Sequence, residues 1–161
     1  MRNILFMLCL VALITGCKNH QIDKANTLLS KKTELQFGII EKLDSVIGFP
    51  ESFEMIVKSV NISTDADSLL KKRMTSLSEL KKQGNTDLMN SLAIRTKDEV
   101  TGLIYTALHY KQSAATNDLK NEAKGVKKDF LGWKYESKND TCSYVIYFDK
   151  DVSTILGIEK K

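Results

Sequence analysis

The chain has 161 residues, 24 of them Lys or Arg against 20 Asp or Glu, giving a formal charge of +4, and only three cysteines. So slight a basic excess, scattered as Lys31-Lys32, Lys71-Lys72, Lys81-Lys82, Lys127-Lys128 and Lys160-Lys161 among acidic residues, describes solvated helix faces and not a nucleic-acid-binding stripe. Three cysteines exclude a disulfide-stapled scaffold, and the length suits one domain that buries roughly two-thirds of its surface without covalent staples.

The first element is a targeting segment. Met1-Arg2-Asn3 is a short cationic start, Ile4 to Ile14 is an unbroken apolar run, and small residues, Thr15 and Gly16, precede Cys17. That run is shorter than the roughly 20 apolar residues of a bilayer span and suits a signal peptide. Ile14-Thr15-Gly16-Cys17 resembles the bacterial lipobox. The resemblance is confined to residues 1–17 and implies that the Cys17 thiol receives a diacylglyceryl group, that residues 1–16 are removed, and that the new amino terminus is acylated. Cys17 is then the lipidation site, and several acyl chains hold such a protein on a membrane where one would hold only marginally. Lys18 stands where aspartate would mark retention in the inner membrane, so the outer membrane is expected if the host has two.

Such processing leaves 145 residues (161 less 16), with 23 basic against 20 acidic once Arg2 is lost. Residues 17–23 are expected to form a polar tether and 24–161 a single globular domain. With Cys9 removed and Cys17 acylated, Cys142 has no partner within the chain. It is expected to be a small buried hydrophobe on a strand face shared with Tyr144, Ile146 and Phe148.

From about Ile22, the apolar positions Ala25, Leu28, Leu29, Leu35, Ile39, Leu43 and Val46 recur at helical spacing, which predicts a helix to about Ile47 with Gly38 as a weak point. A Thr33/Gln36 capping pair offers a later start. Gly48 and Pro50 read as its stop. Phe53 to Ile62, rich in β-branched and aromatic residues, predicts a strand with imperfect alternation. Ser63-Thr64-Asp65 with Asp67 reads as the N-cap of the next helix. That helix carries Ala66, Leu69, Leu70, Met74, Leu77 and Leu80 and ends at Gly84-Asn85.

A further helical stretch starts at Thr86 and places Met89, Leu92, Thr96, Val100, Leu103, Ala107, Tyr110 and Ala114 three or four apart. Thr96-Lys97-Asp98-Glu99 is an internal capping box, so the stretch reads as one helix or as two broken near Arg95. The short link at Gln83-Gly84-Asn85 makes the flanking helices antiparallel neighbours. Phe130 to Ser137, Thr141 to Phe148 and Val152 to Ile158 alternate as strands joined by turns at Lys138-Asn139-Asp140 and Asp149-Lys150-Asp151. The predicted class is α+β: an N-terminal helix, one strand, two or three helices, and a C-terminal antiparallel three-strand meander, with the helices on one face of the sheet.

Chemistry is sparse. His20 and His109 are the only histidines, neither at a metal-ligand spacing, and the pairs Asp65/Asp67 and Asp149/Asp151 lack the further oxygen ligands of a cation site. No nucleophile elbow, zinc motif or phosphate loop is present. Glu41, Asp44, Glu51 and Glu54 are abundant carboxylates that the sequence alone does not pair. No cofactor or metal is expected, and no enzymatic role. The function read from the sequence is that of a lipid-anchored, non-catalytic binding or assembly module of the cell envelope, its partners the membrane and a protein or envelope component. An inhibitor or immunity-type lipoprotein and an envelope hydrolase without a recognised motif are the alternatives.

Overall fold

The protein is described from a computed structural model for residues 20–32, 38–138 and 143–160. The signal segment, Cys17, the Thr33/Gln36 pair and Cys142 lie outside these residues. Helix α1 covers residues 20–30. It is followed by β1 (Asp44–Gly48), α2 (Pro50–Lys82), α3 (Thr86–Ala123), β2 (Asp129–Lys138), β3 (Ser143–Phe148) and β4 (Ile155–Lys160). The four strands form one sheet in the order β1-β2-β3-β4. The fold is α+β, and its helix, strand, helix pair and meander follow the predicted order.

Three placements differ from expectation, the smallest being the last strand, which begins at Ile155 and runs to Lys160, Val152 lying in the bend before it. The helix predicted to reach Ile47 ends near Ser30, because the side-chain amide of Asn26 pairs with the backbone of Ile40. Its Nδ2 donates to the Ile40 carbonyl at 3.0 Å and its Oδ1 accepts from the Ile40 amide at 2.8 Å. This clamp holds the irregular segment before β1 against α1, and Ile40 and Leu43 in it are each 1 % exposed.

The predicted Phe53–Ile62 strand lies inside α2, and the N-terminal strand is Asp44–Gly48 instead. Pro50 opens α2 at its first turn, where the missing N–H costs nothing and the fixed φ suits the helix. The Gly-x-Pro signal therefore starts a helix here and does not stop one. Ser52, Ser59, Val60 and Ala66 recur on one buried face, and that helical burial overrides the β preference of Val57, Val60 and Ile62. Thr64, expected near an N-cap, sits mid-helix. Its hydroxyl lies 3.0 Å from both the Val60 and Ile158 carbonyls, which share its proton.

The described chain divides into two compact units. One takes the residues up to Ile47 and Phe130–Leu156. Its buried side chains include Ala25, Leu29, Ile40, Leu43, Val145, Ile146, Phe148 and Val152. Strands β2 and β3 pair antiparallel from Trp133↔Phe148 to Lys138↔Ser143, as the meander requires. On alternate positions of β2, Leu131 is buried and the rings of Trp133 and Tyr135 are half-buried. Trp133 also meets Phe130 edge-on at 5.3 Å and donates from Nε1 to the Lys150 carbonyl. Gly132 is required here: its φ is +154°, and a Cβ would overlap the carbonyl oxygen of Phe148.

The second unit comprises Gly48–Asp129 and Gly157–Lys160. It is built on the antiparallel pair of α2 and α3, helices of 33 and 38 residues and so about 50 and 57 Å long. Gly84, at φ +70°, takes the left-handed turn between them, and Asn85 caps α3 by accepting from the Leu88 amide at 3.3 Å. Helix α3 runs unbroken through Arg95. The internal capping box does not cut it, because Thr96 donates back to the Leu92 carbonyl at 2.7 Å and Glu99 is held by Arg95 at 2.8 Å and by Arg73 of α2 at 3.4 Å. At the end of β4, Glu159 pairs with Lys111 of α3.

Candidate interaction surface

The α2/α3 seam is lined by small groups. Ser52, Ser59 and Ala66 of α2 and Thr96, Ala107 and Ala114 of α3 are all buried. Ser59 donates to the Ala107 carbonyl at 2.7 Å, and Asn117 Nδ2 donates to the Ser52 hydroxyl at 2.9 Å. These small side chains let the two backbones approach closely, and the polar ones find partners inside the seam. The predicted stripe of α3 is the one turned inward: Thr96, Ala107 and Ala114 are buried, and Met89, Leu92, Val100, Leu103 and Tyr110 half-buried.

A second stripe covers the opposite face of α3. Ile94 (64 % exposed), Tyr105 (69 %), Leu108 (48 %) and Leu119 (69 %) lie along it with Thr101, Gln112 and Ala115 between them, and Ile104 (48 %) flanks it. These residues follow one another at steps of three, four or seven, which keeps them on one side of the helix. They were not singled out from the sequence. The signal was the presence of two apolar periodicities half a turn apart, only one of which α2 covers. The exposed apolar side chains are spread over about 39 Å of helix, with Asp98, Thr101 and Gln112 interrupting them.

The titratable candidates do not assemble into a reaction centre. Glu54 is held by Lys58 one turn on at 2.8 Å, and that ammonium lowers its carboxyl below the ordinary value, the wrong direction for a general acid. Asp44 is paired with Lys42 at 2.8 Å, while Glu41 and Glu51 are exposed. Asp65 and Asp67 are exposed within α2, and their two-residue spacing directs them to nearly opposite sides of the helix. His109 is exposed beside the Tyr110 ring at 6.3 Å. Among the described residues no three His, Cys, Asp or Glu side chains gather as metal ligands, and no helix is long and apolar enough to cross a membrane.

His20 and Asp23, placed in the tether from sequence, belong to α1 and line an open hollow of about 420 Å³ with Lys24, Thr27, Leu28, Val152 and Ser153. The adjoining turn is held by Asp149. Its carboxylate accepts from the Ser153 amide at 2.7 Å, from the Thr154 amide at 3.0 Å and from the Ser153 hydroxyl. Burial works to raise this carboxyl, but the Ser153 hydroxyl and the two amides more than offset it and hold it below the ordinary value. Asp149 is thus a turn acceptor, and Asp151 contributes its backbone carbonyl to Lys24 Nζ at 3.2 Å. Val152 takes a φ of +52°, rare for a β-branched residue, and its side chain is 1 % exposed.

Comparison with protein-family models, with curated proteins and with solved structures finds no match to this chain.

Proposed function

We propose that the protein is a lipid-anchored component of the bacterial cell envelope, on the outer membrane of a host that has two, and that it acts as a non-catalytic binding module through the outer face of α3. The observation that carries this reading is the exposed row Ile94, Tyr105, Leu108 and Leu119 on a helix whose other side is already packed. Leaving such residues in water costs free energy that a bound partner recovers. The lipobox-like Ile14 to Cys17 supports the anchor. Two measurements on the full chain in its own cells test the reading. Cys17→Ser should release the protein from the membrane fraction and from the detergent phase. A photo-crosslinking residue at Tyr105 should capture a defined partner, and Leu108→Ser should abolish that capture. Equal partitioning of the Cys17 variant would remove the anchor; capture indifferent to Leu108 would remove the surface.

A further inference from the structure

The outer stripe of α3 has an internal symmetry. Reflected about the point between Thr106 and Ala107, Tyr105 exchanges with Leu108, Thr101 with Gln112, Asp98 with Ala115 and Ile94 with Leu119. Apolar residues therefore face apolar residues at the centre and at both ends, and polar or small ones face each other between. Read as a heptad seam, Ile94, Thr101, Leu108 and Ala115 occupy one of the two core positions and Asp98, Tyr105, Gln112 and Leu119 the other. Every mirrored pair joins one kind of position to the other, as two antiparallel helices require. A closed two-fold contact needs such self-complementarity, because the same patch must serve both sides.

Charge agrees with that register. Lys97 and Asp118 flank the stripe on the same edge, one near each end. An antiparallel partner helix brings Lys97 of one copy beside Asp118 of the other, twice per pair. Area agrees as well. Ile94, Ile104, Tyr105, Leu108 and Leu119 are 48–69 % exposed and offer on the order of 100 Å² each, so two copies cover on the order of 1,000 Å², the low end of specific interfaces. That extent suits a pair that is weak in dilute solution and persistent when both copies are held on one membrane, where tethering raises the effective concentration.

We propose that the occupant of this face is a second copy of the chain, seated antiparallel on α3 about a two-fold axis beside Tyr105 and Leu108. This rests on the reading of α3 as a contact surface and names its partner. The central Tyr105/Leu108 pairs are the anchor of the contact, and the charged pairs fix its direction.

The test uses the full, lipidated chain in its own membrane. Chains carrying Ile94→Cys and Leu119→Cys, distinguished by different tags, are expressed alone and together and then oxidised with copper phenanthroline. The parent chain with its native cysteines sets the background. Together they should form disulfide-linked mixed dimers, and alone neither should exceed the parent. Lys97→Asp in both chains should remove the mixed dimer by placing like charges together, and Lys97→Asp with Asp118→Lys should restore it. Self-linking of the Ile94→Cys chain would mean a parallel pair and overturn the proposal. Absence of mixed dimers, or failure of the charge exchange to restore them, would overturn it also. Disulfide capture of a different protein at these positions would overturn the second copy while leaving α3 as the binding surface.

Discussion

The sheet-bearing unit and the helical unit differ in the balance of residues they bury. In the first the interior holds Ile40, Leu43, Ile146 and Phe148, each at most 1 % exposed. The second buries Phe49 and Val60, but otherwise small groups, Ser52, Ser59, Ala66, Thr96, Ala107 and Ala114, and leaves Leu70, Met74, Ile94, Ile104, Tyr105, Leu108 and Leu119 more than 40 % exposed. The first unit is thus stabilised by large side chains removed from water, whereas the second fully buries mostly small groups between its long helices, half-buries Met89, Leu92, Val100, Leu103 and Tyr110 beside them, and keeps other large apolar groups outside. Most of the fully buried large side chains and the proposed contact surface fall in different regions, the latter in the helical one.

Substitutions sharpen this contrast. The largest effect is expected from Phe148→Ala, which empties a site that is 0 % exposed and should cost about 3–5 kcal/mol in denaturant unfolding of the detergent-solubilised chain. A loss below about 1 kcal/mol would mean that the sheet unit does not rely on this ring. In the seam, Ala107→Leu adds bulk at a position that is 4 % exposed and in hydrogen-bond contact with Ser59 of α2 and should cost about 1–3 kcal/mol through strain. One residue along the same helix, Leu108→Ser should change stability by less than about 0.5 kcal/mol while abolishing partner capture. Equal costs for Ala107→Leu and Leu108→Ser would erase the distinction between the two faces of α3.

The smallest effect concerns pH. The net depression of the Asp149 carboxyl in the folded state means that its contribution is fully present above the unfolded value of about 3.9 and is lost as the pH falls through the lower folded value. Asp149→Asn should therefore be less stable than the parent at neutral pH, and the two should converge on acidification below about pH 4. A gap that persists in acid would locate the role of Asp149 in shape and not in charge.

Much of this architecture was legible locally. The Gly84-Asn85 break, the inner stripe from Met89 to Ala114 and the alternation of β2 and β3 are short-range patterns, set by a glycine turn and by periods of 3.6 and 2, and they place the helix pair and the meander. The lipobox-like segment is equally local, and it is the part of the function that the residues alone suggest. Local pattern could not place the N-terminal strand. Gly48 and Pro50 are compatible with ending one helix or beginning another, and the choice follows from the Asn26 clamp on Ile40, a contact across 14 residues, and from burial of the Ser52, Ser59 and Val60 face.

For the same reason the sequence singled out the inner stripe of α3 but not the second row of apolar residues on its other side, nor that α2 leaves that row uncovered. A helical period names a face but not its neighbour, so what covers each face is open until another element packs on it. Ser59 reaching the Ala107 carbonyl fixes the rotation of α3 in the tertiary structure, and it leaves Tyr105 and Leu108 facing solvent.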